Sequence, residues 1–235
     1  MPQVSIASVN AVVSRVADEV SVAAAQAIAR RGFFSIALAG GSVATKCFPT
    51  LARLPVSWSN VHFFWADERS VPPSDPESNF GLADRLWLTP AGVPESSVHR
   101  MPADTPDLSA AADTYTSELM RVLGTEAVLD LALLGMGPDG HIASLFPGHA
   151  LLAERDRLVS PIFDSPKPPA RRLTLTLPVL AKVRRVIVVA FGSSKADALQ
   201  EALGHEGSAL PVAQLLRSAP SSLVLADETG GIRIG

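Results

Sequence analysis

The sequence predicts an α/β protein with one open, mostly parallel sheet that is covered by helices on both faces. Apolar runs of strand length alternate with helix-like segments from one end of the chain to the other. These runs are continuously apolar instead of alternating, which is typical of parallel strands buried on both faces. Hydrophobic residues make up 47% of the 235 residues and charged residues 18%, the composition of a globular protein with a large core.

The first half of the chain predicts helices and strands in alternation. Charges at Arg15, Asp18 and Glu19 interrupt an Ala- and Val-rich segment, which indicates an amphipathic helix. The run FFSIALA is apolar throughout and ends at Gly40-Gly41, as a buried strand does before a tight turn. The sequence predicts helices over 11–31, 43–54, 79–88 and 108–123, strands over 33–39 and 61–66, and a charged loop over 67–77.

The second half continues the same order. The segment RLTLTL alternates with the period of a half-buried strand and is stopped by Pro178. The segment PKPP at 166–169 is too short for a domain linker and is interpreted as a loop. The sequence predicts strands over 129–134, 172–177, 185–191 and 223–226, a helix over 194–203, and a single domain over 1–235.

Composition excludes several classes of function. A formal net charge of −3 lacks the basic excess that nucleic-acid binding requires. No uncharged stretch exceeds 14 residues, which is short of the roughly 18 to 20 needed to span a bilayer. Cys47 has no second cysteine to pair with, and the first residues lack a signal-peptide pattern. We therefore expect a cytoplasmic protein with neither nucleic-acid nor membrane partners.

Ligands of open parallel sheets bind beyond the carboxyl ends of the strands, and four predicted strand ends carry polar or glycine-rich residues. Gly40-Gly41-Ser42 lies between a strand and a helix, where free backbone N–H groups favour an anion such as phosphate. A tight turn with Ser42 as helix N-cap is the alternative interpretation. The other three strand ends are the segments 67–69, 135–141 and 192–195.

The segment GMGPDGH matches the dinucleotide pattern G-x-G-x-x-G, but its residues contradict that function. Asp139 would place a carboxylate against a pyrophosphate, and Pro138 removes an amide donor. Asp139 and His141 instead suggest a general base whose tautomer is fixed by a carboxylate, provided that the loop turns sharply. A surface histidine in a glycine-rich turn is the alternative. None of the five histidines has metal-ligand spacing, so no metal site is predicted.

Two further cations are candidates for binding an anion at the same edge of the sheet. Lys195 follows the buried strand RVIVVAF, at the start of a helix. Arg171 and Arg172 are neighbours in a predicted strand, so only one of them faces the site. The sequence leaves open which one. A solvated lysine is the alternative for Lys195.

The segments LAGGSVATKCFPTL, FWADERSVPPSDPESNFGLADRLWL, LALLGMGPDGHIASLFPG, RRLTLTLPVL and VVAFGSSKADAL, in this order, resemble the 6-phosphogluconolactonase family. The resemblance covers residues 9–226. It implies a Rossmann-like α/β fold and hydrolysis of 6-phospho-D-glucono-1,5-lactone to 6-phosphogluconate in the oxidative pentose phosphate pathway. A small sugar-phosphate lactone is the implied partner, and no metal or organic cofactor is implied.

The resemblance also assigns roles to individual residues. His141 is the implied general base that activates water, Asp139 orients His141, and Arg69 holds the substrate near the developing oxyanion. The residues implied at the phosphate or elsewhere on the substrate are Gly40, Gly41, Ser42, Asp67, Asn79, Arg172 and Lys195.

Two alternative functions belong to related proteins. Glucosamine-6-phosphate deaminases resemble D-G-H-I-A-F-N-E-P-G in this region, and this chain has Phe146 in place of their glutamate. They also carry Asp-Glu-Tyr where this chain has Asp67-Glu68-Arg69. A sugar-phosphate sensor of a transcription regulator is the non-enzymatic alternative, but the α/β pattern fills the sequence and leaves no basic helix-turn-helix. Lactone hydrolysis is the function we expect.

Overall fold

The computed structural model describes residues 2–230 of the chain. Its central element is a six-stranded sheet in the order β1-β9-β8-β5-β2-β3, and every neighbouring pair in it is parallel. The predicted fold class is therefore confirmed. The predicted domain boundary at 235 falls on residues 231–235, which lie outside the described part. The six strands are β1 (Gln3–Ala7), β2 (Phe34–Leu38), β3 (Val61–Trp65), β5 (Leu131–Gly135), β8 (Arg185–Ala190) and β9 (Ser222–Asp227).

Helices pack on both faces of the sheet, and the burial of the strand residues shows where both faces are fully covered. Every residue of β2 and β9 is buried, which requires protein on both faces of the sheet. One hydrophobic core extends over the strands and the inner faces of the helices. The helices are α1 (Val9–Arg31), α2 (Gly41–Leu51), α3 (Asn79–Ala83), α4 (Leu108–Leu123), α5 (Leu177–Lys182), α6 (Ala196–Gly204) and α7 (Pro211–Ser218).

A second, antiparallel sheet changes the prediction for two segments. It has the order β4-β7-β6, with β4 at Asp67–Arg69, β6 at Val159–Ile162 and β7 at Arg172–Leu175. The predicted loop over 67–77 thus begins with a strand, because Asp67–Arg69 pairs with β7. The strand predicted over 172–177 is shorter than expected, and all four of its residues are buried, where a half-buried strand was expected. It is the central strand of this sheet. This sheet brings the charged residues of β4 beside Arg172.

The sequence pattern missed two short helices that have a proline in their first turn and one strand that contains a proline. Pro178 does not merely stop a strand but lies in the first turn of α5, where a missing N–H costs nothing. Pro211 begins α7 in the same way. Pro161 lies inside β6.

The helix predicted over 79–88 exists, but its second half, Asp84–Leu88, is a π-helical turn.

The centre of the parallel sheet should dominate stability. Leu133 on β5 is fully buried, so Leu133→Ala should lower the free energy of unfolding by about 2–5 kcal/mol through lost burial and a residual cavity. Urea denaturation measures the change. Val22→Ala is the control, because Val22 is 55% exposed on α1 and its change should stay within about 0.5 kcal/mol. Equal effects of the two substitutions would contradict this assignment of the core.

Candidate active site

A cavity of about 230 Å³ lies at the carboxyl ends of the parallel strands. Two larger and more open grooves, of about 610 and 600 Å³, contain none of the residues to which the resemblance assigns a role, although Arg171, the alternative to Arg172, lines the first of them. The smaller cavity is the candidate site because glycine loops, cations and an acid–base pair converge on it. The predicted residues that line it are Gly40, Gly41, Ser42, Asp67, Arg69, Asn79, His141, Arg172 and Lys195.

The loop after β5 turns sharply and pairs His141 with Asp139. The Nδ1 atom of His141 lies 2.5 Å from Oδ1 of Asp139. The turn is closed by the Gly137 amide, which donates to the His141 carbonyl over 2.8 Å. Gly140 supplies a φ of +79° in the middle of the turn. With Nδ1–H donated to the carboxylate, Nε2 is the ring nitrogen that is left to accept a proton.

Burial and two opposite charges set the protonation of this pair. Burial lowers the pKa of His141, the Asp139 carboxylate opposes this shift, and the positive charge of Lys167 adds to it. Burial alone would raise the pKa of Asp139, but its bonds from His141 and Lys167 outweigh burial and lower the pKa to about 2. At neutral pH the pair is therefore a neutral imidazole beside a carboxylate, the state that a general base requires.

Lys167 is the site residue that sequence reasoning missed. Its Nζ donates to Oδ1 of Asp139 over 3.1 Å and lies 3.2 Å from Nδ1 of His141. Lys167 belongs to the PKPP segment, for which the sequence predicts only a loop. A lysine between two prolines is the only local sign of a function for this segment. The local pattern does not show that the segment folds back onto the loop after β5.

A buried network connects β4, β7, the start of α3 and the loop after β5. Asp67 accepts a hydrogen bond from the Ser144 hydroxyl over 2.7 Å and one from the Asn79 amide over 3.2 Å. The Arg172 guanidinium lies 3.9 Å from Asp67 and donates to the Ser144 hydroxyl. Asp67 is thus a buried carboxylate that is both hydrogen-bonded and faced by a cation, as burial of charge requires. Asp67, Asn79 and Arg172 are held together by their mutual contacts.

Glu68 organises the charged loop that follows β4. Its carboxylate accepts from the backbone amides of Arg69, Asn79 and Phe80 and from the Ser78 hydroxyl. Burial raises the pKa of Glu68, and the amide bonds oppose that shift. This folding of the loop brings Arg69 to the cavity wall, where one guanidinium nitrogen donates to the Glu77 carbonyl over 2.6 Å.

In the glycine loop after β2, the backbone of Gly40 packs closely against the side chain of Asn79. A Cβ on Gly40 would lie 1.8 Å from Oδ1 of Asn79, so a larger residue does not fit. Gly40 is the N-cap of α2, and Ser42 lies inside the first turn. The alternative interpretation of Ser42 as the N-cap is therefore wrong. The first turn is exposed and lines the cavity, and the N–H groups of a first helical turn have no partner within the helix, so an anion is favoured there.

The structure separates the two neighbouring arginines. Arg172 lines the cavity and is 4% exposed. Arg171 points away, donating to the Pro106 carbonyl over 2.7 Å. Lys195 lies in a short 3₁₀ turn before α6 and also lines the cavity. Burial lowers the pKa of Lys195, and the charge of Lys167 lowers it further, which places the two lysines within electrostatic reach of each other.

The described residues, 2–230, contain neither a candidate metal site nor a candidate membrane span. Within that range no three His, Cys, Asp or Glu side chains are grouped so that they would hold a metal ion. No helix in the same range has the length and apolar character to cross a membrane.

The fold and the site define the class: an α/β protein with an acid–base pair and an anion-accepting cavity at the carboxyl edge of a parallel sheet. A profile described as glucosamine-6-phosphate isomerases/6-phosphogluconolactonase matches residues 7–225. The chain belongs to this family, which confirms the resemblance found in the sequence.

Named relatives agree with this assignment. The chain is 39% identical to 6-phosphogluconolactonase 3, chloroplastic, of Arabidopsis thaliana, in a match that covers 83% of the chain and 63% of the relative. It is 42% identical to 6-phosphogluconolactonase of Rattus norvegicus, over 79% of the chain and 74% of the relative. The solved structure of 6-phosphogluconolactonase from Thermotoga maritima has a TM-score of 0.86 at 28% identity, covering 97% of this chain and 100% of that one. The chain spans a little under two thirds of the length of the plant relative.

Gly137 tests the geometry of the acid–base pair. A Cβ at this position would lie 1.9 Å from Nδ1 of His141 and 2.3 Å from Oδ1 of Asp139. Gly137→Ala should therefore force the pair apart and lower turnover on the order of 100-fold. Proton NMR should show a strongly deshielded Nδ1 proton in the wild type and not in the variant. Gly204→Ala is the control, because an added Cβ there has no neighbour within 4 Å. A variant that keeps both signal and turnover would contradict this geometry.

Proposed function

We propose that the protein hydrolyses 6-phospho-D-glucono-1,5-lactone to 6-phosphogluconate, with His141 as general base. The observation that carries this proposal is the His141–Asp139 pair, in which His141 lines a cavity that is also lined by Lys195 and the glycine loop. An ester carbonyl needs a base and a stabiliser of negative charge, and a distal phosphate needs amides and cations. The names of the relatives support the same reaction.

In the proposed reaction, Nε2 of His141 takes a proton from water as the water oxygen attacks the lactone carbonyl carbon. Asp139 keeps Nδ1 protonated and stabilises the imidazolium that forms. Negative charge develops on the carbonyl oxygen, where Arg69 is the proposed stabiliser. The ring C–O bond then breaks, and the imidazolium returns its proton to the leaving ring oxygen. The product acid loses its own proton to solvent.

The phosphate is proposed to bind at the opposite side of the cavity. The amides of Gly40 and Gly41, the Ser42 hydroxyl and Lys195 offer hydrogen bonds and charge to a dianion. Asp67 and Asn79 are proposed to shape the cavity wall or to contact substrate hydroxyls. A direct phosphate contact of Arg172, which the resemblance implies, is not part of this binding mode.

The deaminase alternative requires a carboxylate where this chain has Phe146. Phe146 is 1% exposed, and its ring lies 4.7 Å from the ring of His141. A buried phenyl group cannot transfer protons, so it supports a reaction that needs fewer acid–base groups.

The cytoplasmic location also stays a prediction, based on a single cysteine. Burial raises the pKa of the Cys47 thiol to about 12, which keeps it unreactive.

The proposed function is tested with freshly generated lactone in a coupled assay, corrected for spontaneous hydrolysis. The protein should accelerate hydrolysis and should release no ammonia from glucosamine 6-phosphate. A sugar-phosphate sensor would bind the lactone without turnover. Ammonia release at a rate comparable with lactone hydrolysis would favour the deaminase.

His141→Asn should lower kcat by roughly 10²- to 10⁴-fold, because it removes the base that accepts the proton from water. KM should change little, since the proposed phosphate contacts remain. In the wild type, kcat should fall as the pH drops through the pKa of His141, because the imidazolium cannot accept a proton. Steady-state kinetics and a pH profile measure both effects, with folding checked by circular dichroism. A folded variant that retains half of the wild-type kcat would refute the role of His141.

Lys195→Ala tests the proposed phosphate site. Loss of a charge-assisted hydrogen bond of about 1.5–3 kcal/mol should raise KM by about 10- to 150-fold, with a smaller change in kcat. Lys46→Ala is the matched control, because Lys46 is exposed on α2 and does not line the cavity. Equally efficient hydrolysis of unphosphorylated gluconolactone by the wild type would show that the phosphate site is wrongly assigned.

A further inference from the structure

The guanidinium of Arg172 is already occupied by the protein. Its Nε donates to the Pro169 carbonyl over 2.9 Å, and one terminal nitrogen donates to the carbonyls of Lys167 and Pro168, each over 3.0 Å. The other terminal nitrogen donates to Ser144 over 3.3 Å. These bonds use four of the five N–H groups of an arginine. A buried Arg172 therefore has little capacity left for a substrate phosphate.

The same bonds fix the backbone of the loop that carries Lys167. Three consecutive carbonyls, those of residues 167–169, converge on one guanidinium group. The Ser165 hydroxyl adds a bond to the Lys167 carbonyl over 2.8 Å. From this fixed backbone the Lys167 side chain reaches into the cavity and meets Asp139.

We propose that Lys167 is a positioning residue of the His141–Asp139 pair, and that Arg172 acts by holding the Lys167 loop in place rather than by binding phosphate. This inference rests on the proposed role of His141 as the base. It adds a residue that the sequence pattern did not indicate, and it gives Arg172 an indirect role.

The geometry explains how Lys167 acts on the base. Oδ1 of Asp139 accepts from both His141 and Lys167, so the ammonium group fixes the rotation of the carboxylate and, through it, the imidazole ring. Nδ1 of His141 carries a proton, so its 3.2 Å contact with Nζ of Lys167 is a contact between two hydrogen-bond donors. Both donate to the same acceptor, Oδ1 of Asp139. The positive charge of Lys167 thus opposes formation of the imidazolium.

Three charged groups act on the protonation of His141 from the elements around it. Asp139, on the same loop, and Asp67, on β4, favour the imidazolium. Lys167 disfavours it. Loss of the Lys167 charge should therefore make His141 easier to protonate, so that the base becomes available only at higher pH.

Lys167→Met is the first test, because it removes the charge and retains the bulk of the side chain. We expect kcat at pH 7 to fall about 10- to 100-fold, KM to change less than about threefold, and the acidic limb of the kcat profile to move to higher pH. Lys167→Arg should keep the limb near its wild-type position. Lys182→Met is the control for loss of one positive charge, since Lys182 is exposed and pairs with Glu126. A rise in KM alone, with an unmoved limb, would overturn the proposal and assign Lys167 to the phosphate.

Arg172→Met tests the second half of the proposal, with Arg171→Met as the matched control, because Arg171 is the neighbouring arginine and bonds to the Pro106 carbonyl outside the cavity. Arg172→Met should reproduce the lower kcat and the shifted limb of Lys167→Met, and the double variant should be little worse than either single one, because the two residues act as a unit. Additive losses, or a rise in KM alone, would overturn the role of Arg172. If Arg172→Met fails to fold, Arg172→Lys is measured instead, with the same expected shift.

NMR separates this inference from the proposed function. Titration of the His141 ring in the wild type and in Lys167→Met requires no turnover, and the variant should titrate at higher pH. Unchanged titration would overturn the inference even if the lactone is hydrolysed. Absence of lactone hydrolysis with a shifted titration would overturn the proposed function and leave the role of Lys167 in the pair intact.

Discussion

The site depends on the buried contact between Asp67 and Arg172. Their side chains are 6% and 5% exposed and lie 3.9 Å apart, with the Ser144 hydroxyl bonded to both. Taking two charges out of water is costly, and the cost is offset only when each is paired and hydrogen-bonded. Removal of either partner would leave an unpaired charge in the core. The contact therefore holds β4, β7 and the loop after β5 in one arrangement.

The two sheets contribute different parts of the site. The parallel sheet supplies the glycine loop after β2 and the His141 loop after β5, both of which follow from strand ends that meet at one edge. The antiparallel sheet supplies Arg69 and Arg172 from paired strands. The loop between β6 and β7 adds Lys167. The parallel sheet thus supplies the base with Asp139, and Lys195 after β8, whereas the antiparallel sheet and its connecting loop add Arg69, Arg172 and Lys167.

Electrostatics in the cavity suit the chemistry that we propose. Burial keeps His141 neutral, and Asp139 stays ionised because His141 and Lys167 both donate to it. A neutral base beside fixed cations is able to accept a proton while negative charge develops nearby. Phe146 packs on the imidazole and occupies the position in which deaminases carry a carboxylate, so the same loop supports fewer proton transfers.

By itself the sequence determined the parallel sheet, the bounds of α4, the family, and most residues of the cavity, because these depend on local apolar runs and on loops at strand ends. The tertiary structure alone decided that Arg172 and not Arg171 faces the cavity, that Asp67–Arg69 forms a strand, and that Lys167 reaches Asp139. These features arise from contacts between residues far apart in sequence: Lys167 and Asp139 are 28 positions apart, and Ser144 and Asp67 are 77 apart. A local pattern carries no information on such contacts, since they exist only after the two sheets have packed together.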